Sequence, residues 1–543
     1  MIRWKRLLFG ILRQPSGHPG NNTRPGGKGA DSRIPPSDQN PERILQEPKD
    51  DRLEEKVAWL RKRLDKCSDV QYYPFLTADG RRCMAVYIMN MSDQTLFLQQ
   101  VVQPLMAADE VDSGLPVMDR LFRRSRVPVT GAQHVDGEEG LNKLLDGQIL
   151  LAANGEKGWA CLPLTNFNKR SISEPSNEVV IRGPREAFVE DIATNLTLIR
   201  RKVKSPDFKT EEQLIGTYTQ TKVVIAYIEG LCKPALLDEV KLRLSRIEMD
   251  GVLEGSYLEE YLEDNPFSPF PQIQYTERPD TAAAGLLEGR VLIMCDGSPI
   301  QLMAPVTLPM LLLFSEDYYQ RWLTGTWIRW IRYFFVVISL LLPSIYIAVT
   351  TFHPELLPSN LLMTVAGARE TVPFPALIEA LIMEITFEVL REAGIRTPKP
   401  IGQTVSILGA IVIGQAAVQA GIVSAPMVII VSMSGIASFV IPHVDLGLAF
   451  RFLRFPVMFA AGSFGLFGIS VSVILIVLHL VSLRSLGTPY MYPLAPIGDG
   501  WLKDFVLRAP VWFMKKRPDF YKNNPSNRMV YHKRPVIPEE EGD

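Results

Sequence analysis

Three glutamates, Glu379, Glu384 and Glu388, interrupt an otherwise apolar run from Pro373 to Leu390. An ionised carboxylate inside a hydrocarbon layer is costly, so it faces a partner or water. Glu384 and Glu388 share one helical face with Arg391. Two readings serve that row: ion pairs between packed helices, or an acidic lining that attracts cations at the mouth of a path. A second polar stripe, Gln415 and Gln419, lies in the run Pro400 to Val444, which holds no charge. An amide in hydrocarbon must also find partners. A ring of amides in a homo-oligomeric pore would supply them, and so would ordinary hydrogen bonds between helices. Ser406, Ala410 and Gly414 are spaced by four, as are Ala417 and Gly421. Rows of small residues let helices approach closely, which drives packing in lipid.

Little other chemistry is written into the chain. It has no phosphate-binding glycine loop, no nucleophile elbow and no metal-spaced His/Cys set, and only six histidines. An enzyme is therefore not expected, nor a metal or cofactor. Five cysteines, Cys67, Cys83, Cys161, Cys232 and Cys295, contain no C-x-x-C and read as reduced thiols facing a cytoplasm. The acidic group Glu259, Glu260, Glu263 and Asp264 spreads over more than one helix face and reads as solvated. A net charge of −1 lacks the concentrated basic face of a nucleic-acid binder.

Charge divides the 543 residues into parts. Charged residues are frequent up to about Arg332, nearly vanish from Tyr333 to Leu483, and return after Arg484 as mostly Lys and Arg. The expected fold class is a soluble α/β module of two subdomains followed by an all-α, multi-pass transmembrane bundle. Residues 1–50 comprise a basic terminus and a Gly/Pro-rich stretch read as a disordered linker. Its apolar core, Leu7 to Leu12, is too short for a signal peptide and reads as an interfacial helix or a frayed end.

Subdomain 1, residues 51–185, opens with a helix on which Leu53, Val57, Leu60 and Leu64 recur. Strands are expected at Met84–Met89 and at Gln148–Ala153, the latter returning as Gly158–Leu162 through Asn154-Gly155, with a helix at Leu96–Leu105. A strand at Asn177–Ile181 leads into subdomain 2, residues 186–318. There, helices are expected at Glu186–Arg200, Lys233–Met249 and Tyr257–Asp264. A β-rich run spans Thr217–Ile228, and a hairpin turns at Asp296-Gly297.

The bundle, residues 319–484, has expected spans at about 333–351, 373–390, 404–423, 427–444 and 457–483; about 20 apolar residues cross the hydrocarbon. Arg321, Arg329 and Arg332 before the first span put the soluble module in the cytoplasm, and Trp322, Trp327 and Trp330 suit an interfacial belt. Leu446 to Phe455, with Arg451 and Arg454, reads as an interfacial helix on the cytoplasmic side. Five spans would leave the tail, 485–543, outside. That tail carries Lys515, Lys516, Arg517, Lys533 and Arg534, which favours inside. A further crossing near 307–314 or 361–374 would remove the conflict.

Longer motifs resemble a known family. They are Pro373-Phe-Pro-Ala-Leu-Ile-Glu-Ala-Leu-Ile-Met-Glu, Leu390-Arg-Glu-Ala-Gly-Ile-Arg, Ile413-Gly-Gln-Ala-Ala-Val-Gln-Ala-Gly-Ile-Val-Ser, Gly435-Ile-Ala-Ser-Phe, Leu453-Arg-Phe-Pro and Pro493-Leu-Ala-Pro. Upstream stand Tyr227-Ile-Glu-Gly-Leu, Asp296-Gly-Ser-Pro and Ala304-Pro-Val-Thr-Leu-Pro. Together they resemble the A subunit of the GerA-type spore germinant receptors, strongly over about residues 190–500 and more loosely over 55–190. The Gly/Pro-rich 14–50 stretch falls outside the shared pattern.

The resemblance implies a multi-pass protein of the spore inner membrane with its N-terminal half cytoplasmic. It implies work with a membrane-embedded B subunit and a lipoprotein C subunit, sensing nutrients and triggering release of monovalent cations. It also implies an oligomeric, pentameric, channel-forming role for this subunit. The pore stripe is then expected at Ile411, Gln415 and Gln419, or at the neighbouring row Ala410, Gly414 and Val418, with the three glutamates at a mouth. Two rival readings remain: a secondary transporter binding solute in its own bundle, which broken helices at Pro373–Pro375 and Ser424–Pro426 would suit, and a non-conducting scaffold. Unitary current steps, saturable flux without steps, or neither would separate the three.

Overall fold

The computed structural model describes residues 51–107, 115–123, 129, 131–166, 175, 177–396, 414–497, 502–514 and 517. Its N-terminal half is built on two five-stranded antiparallel sheets. The first comprises β1 (Val70–Leu76), β2 (Arg82–Ile88), β3 (Gln133–Val135), β4 (Ile149–Ala153) and β5 (Trp159–Leu162), in the order β1-β2-β4-β5-β3. The second comprises β6 (Phe208–Ile215), β7 (Thr221–Ile228), β8 (Gln274–Thr276), β9 (Val291–Cys295) and β10 (Gln301–Ala304), in the order β6-β7-β9-β10-β8.

The two orders are the same, and the helices repeat with them. In the first unit α1 (Leu53–Arg63) precedes β1, α2 (residues 94–106) and α3 (Val117–Arg123) follow β2, and α4 (Gly137–Leu145) follows β3. In the second, α5 (Ile192–Lys202), α6 (Pro234–Ser245), α7 (Gly255–Leu262) and α8 (Pro279–Glu288) take the same places. The module is therefore an internal duplication. Its trace in the sequence is Leu144-Leu-Asp-Gly-Gln-Ile-Leu against Leu286-Leu-Glu-Gly-Arg-Val-Leu, extending to Pro163 and Thr165 against Pro305 and Thr307.

Both hairpins form where expected, with Gly155 and Gly297 at positive φ, 78° and 84°, which glycine adopts without strain. Helices cover the sheets, so β4 and β9 are buried at every residue and read as continuous apolar runs. Other expectations need correction. Asn177–Ile181 is not a strand; Asn177 Nδ2 donates to Glu277 at 2.6 Å and Glu178 accepts from Thr276 Oγ1 at 2.7 Å, which pins an irregular segment. The helix expected from Glu186 begins at Ile192, where Asp191 caps it by accepting from the Thr194 N–H at 2.9 Å. Between the repeats, fully buried Arg200 holds Asp69 at 2.7 and 3.0 Å.

The short helices α9 (Leu308–Leu311) and α10 (Glu316–Tyr319) lead into a helical layer. It comprises α11 (Trp322–Phe352), α12 (Ser359–Arg369), α13 (Ala376–Arg396), a helical stretch at 414–419, α14 (Ala425–Phe439) and α15 (Val444–Ser482). Two of these, α11 and α15, are long and apolar enough to cross a membrane. The first starts eleven residues before the expected span, so the three tryptophans ride on it. The second merges the expected interfacial helix 446–455 with the last expected span.

That second helix is folded on itself. Gly465 has φ 60° and ψ −142°, a conformation reserved for glycine. A Cβ on Gly468 would overlap the Ala460 carbonyl. The Phe270 ring lies 5.7 Å from Phe450 and 6.1 Å from His479. Twenty-nine residues of straight helix would separate those two by roughly 43 Å, so the chain reverses at Gly465. The turn packs against Phe352 and His353 at the end of α11. The second limb comes back to the soluble module, where Ser485 Oγ donates to the Gln272 carbonyl at 2.6 Å and Tyr490 OH to that of Pro271 at 2.7 Å. The further crossing expected near 307–314 or 361–374 lies elsewhere than this reversal, which the sequence did not show.

Candidate functional site: a charged core in the helical layer

The three glutamates of α13 singled out in the sequence, Glu379, Glu384 and Glu388, all meet arginines. The helix runs antiparallel to the first limb of α15, with Leu377 against Gly462, Glu384 on Arg454 at 2.6 Å and Glu388 on Arg451 at 3.2 Å. On its other side α14 runs parallel to it. Ser424 donates to Glu379, Ser434 Oγ lies 3.1 Å from Glu384, and Arg391 reaches Ser438 Oγ at 3.2 Å. A Cβ on Gly435 would stand 2.8 Å from the Phe387 ring, so glycine is what lets α14 approach.

Arg454 is the centre of this core and is only 1% exposed. Its Nε donates to the Ser339 carbonyl at 2.7 Å and its Nη1 to Glu384. Its Nη2 reaches Ser339 Oγ at 3.2 Å and the Ser434 carbonyl at 3.4 Å. One side chain thus ties α11, α13, α14 and α15 together. A guanidinium so fully bonded is stable where a bare charge would not be. Glu379, also fully buried, accepts from the Ser424 N–H at 2.6 Å and sits 3.7 Å from Arg369. Glu388 is about a third exposed and is shared by Arg451 and Arg391.

A second charged set closes the base of α11. Asp317 accepts from Arg329 at 3.2 Å and from Arg332 at 2.8 Å, and Asp504 accepts from Tyr318 OH at 2.7 Å. Two of the three arginines that flagged a cytoplasmic flank, Arg329 and Arg332, are themselves buried and paired, while Arg321 is exposed.

The expected pore rows divide. Gly414 is buried and Val418 half-buried, while Gln415 and Gln419 are exposed; Ala410 and Ile411 lie outside the described residues. Sequence reasoning did not find Arg369, Ser339 or Ser434, met Ser424 only as a helix break, and placed Arg454 on an interfacial helix at the cytoplasmic side. One signal was available: Arg451 and Arg454 are spaced to meet Glu388 and Glu384 on an antiparallel neighbour.

Carboxyls at the seam between module and helices are perturbed. Burial, then the charges of Asp445 and Glu263, push Glu259 up to about 8; burial also raises Glu263. Glu259 is thus not the solvated residue that the sequence suggested. In the module, burial pushes Glu178 up to about 7. Both lie above the ordinary value of 4.5, so the stability they contribute is complete below pH 4.5 and is lost as pH rises through 7 and 8. The melting midpoint of the full-length protein should fall from pH 5 to pH 8.5. The double variant Glu178→Gln, Glu259→Gln should flatten that slope. Parallel pH profiles for the two proteins would contradict the assignment.

Comparison with known proteins follows from this geometry. The family model described as Bacillus/Clostridium GerA spore germination protein matches residues 58–520. The uncharacterized membrane protein YfkQ of Bacillus subtilis is 46% identical over 471 residues, covering 86% of this chain and 91% of the relative. Spore germination protein KA of the same organism is 39% identical, with 89% of each chain covered. Spore germination protein GerLA of Bacillus cereus is 38% identical, covering 83% of this chain and 92% of the relative. Among solved structures, the N-terminal domain of the A subunit of the Bacillus megaterium spore germinant receptor GerK3 is 30% identical. It aligns with a TM-score of 0.38, covering 47% of this chain and 95% of that one.

Proposed function

Because the chain belongs to the GerA spore germination protein family, we propose that it is the membrane subunit of a nutrient germinant receptor and forms the receptor's oligomeric, nutrient-gated cation channel. In this reading it sits in the spore inner membrane with its duplicated α/β module in the cytoplasm. It assembles as a homo-oligomer, a pentamer, beside an integral-membrane B subunit that selects the germinant and a lipoprotein C subunit. Monovalent cations are what it passes.

The observation that carries the conducting part is the exposure of Gln415 and Gln419 on a helical stretch that packs through the adjoining Gly414 row. Amides left uncovered among lipid-facing residues require water or a neighbouring copy. A ring of copies around an aqueous axis supplies both. The arginine-paired glutamates then hold each copy together instead of lining the path. The reversal at Gly465 adds one traverse to the five spans expected from the sequence, and so supports an even number. Both soluble ends then lie on the cytoplasmic side, in accord with the basic tail.

Spores carrying Gln415→Asp should leak potassium before any germinant is added, or release it at a changed rate afterwards. Wild-type potassium retention together with wild-type germination would remove this helix from the pore.

A further inference from the structure

We propose that the loop carrying Phe267 is a membrane-surface anchor whose ring sits at the boundary between lipid headgroups and acyl chains. The proposal rests on the reading of α11 and α15 as spanning helices.

Phe267 is 96% exposed, the most exposed large apolar side chain among the described residues. It is not on a loose excursion. Pro266 and Pro269 flank it and restrict the backbone. The Phe267 N–H donates to Asn265 Oδ1 at 3.2 Å, and the Phe270 N–H to Ser268 Oγ at 3.2 Å. The base of the loop is closed twice by Gln272, which accepts from the Asn265 N–H at 2.9 Å and donates to the Asn265 carbonyl at 2.6 Å. A braced loop that presents a bare phenyl ring gains nothing from water and calls for an apolar partner.

The height of the loop identifies the partner. Ser268 Oγ, one residue from the ring, lies 2.9 Å from His479 Nε2. His479 is one turn short of the end of α15, at Ser482. Phe270 packs on Phe450 and His479, and Asp264 accepts from the Gly487 N–H at 3.1 Å just past that helix end. The last turn of a spanning helix lies at the headgroups. Immediately inside it, Leu475 and Leu478 are each 60% exposed, as lipid-facing residues are. The Phe267 ring is therefore held within a few ångströms of the boundary, where aromatic rings are favoured. The consequence is mechanical. The soluble module is pinned to the bilayer through Phe267 as well as through the start of α11, so it cannot tilt freely over the helices.

The five native cysteines are buried, so a single introduced cysteine can be labelled selectively in the full-length protein. Phe267→Cys carrying an environment-sensitive fluorophore would be reconstituted in phosphatidylcholine/phosphatidylglycerol vesicles containing a lipid with a nitroxide high on its acyl chain. A blue-shifted emission quenched at least twofold by the nitroxide lipid is expected. Tyr218→Cys, in the β6–β7 turn, should be quenched only by aqueous iodide. Leu475→Cys serves as the reference for the spanning helix. If Leu475→Cys is quenched by the nitroxide lipid while Phe267→Cys responds only to iodide, or to neither quencher, the anchor is overturned and the spanning reading stands. If Leu475→Cys is not quenched, the spanning reading falls and takes the anchor with it.

Discussion

Arg454→Ala is expected to leave almost no correctly folded protein. The substitution removes four hydrogen bonds that join α11, α13, α14 and α15 and strands Glu384 without its cation in a buried site. Removing one partner of a buried pair costs about 3–5 kcal/mol, a large share of the stability of any domain. Glu384→Ala should cost as much from the other side. The combination Glu384→Leu with Arg454→Met should recover most of the loss, because apolar groups of similar volume replace both charges together. Arg396→Ala, at an exposed i,i+4 pair with Glu392, should be nearly silent. The yield of folded protein after extraction, with thermal unfolding of whatever can be purified in one detergent, gives the ranking. A fully stable Arg454→Ala would mean that the core lies open to water.

Gly465→Ala should also be severe, for a backbone reason. Its φ of 60° and ψ of −142° lie where only glycine is at ease, and strain there costs about 1–3 kcal/mol. The added Cβ would in addition stand 3.1 Å from both His353 Nε2 and Phe352 Cβ. If the backbone escapes the strain by straightening, the second limb of α15 swings away and Ser485 and Tyr490 lose their hold on Gln272 and Pro271. Gly367→Ala, with no heavy atom near the new Cβ, is the matched control and should be neutral or slightly stabilising. Protease access to residues after Ser482 reports the difference: Gly465→Ala should be cut faster than wild type and Gly367→Ala should not. Equal cutting would contradict the reversal.

What the sequence disclosed follows from what local rules can see. Asn154-Gly155 and Asp296-Gly297 mark their hairpins because a type of turn demands those residues. The long, nearly uncharged run before Leu483 marks the apolar helices α11 and α15. β6 was passed over because Lys209, Thr210, Glu211, Glu212 and Gln213 look like a surface loop, although Lys209 and Thr210 are buried between β7 and the bridge from Cys67 to Thr210. The duplication is visible once Gly147 and Gly289 are aligned, since both sit at positive φ after equivalent helices. The remaining helices share too few identities to advertise it. Arg454 was misplaced because periodicity records that a face is polar but not whether it meets water or a glutamate. Gly465 is one glycine among several, and only its backbone angles reveal that the chain reverses there.

The most direct test of conduction is electrical. The purified full-length protein assembled with its B and C subunits, fused into a planar bilayer with potassium on both sides and given a nutrient mixture that germinates the spores, should give discrete unitary current steps that favour cations, and Gln415→Asp should change the step size. Bilayers that contain the protein and remain silent, or that carry saturable flux without steps, would contradict the account.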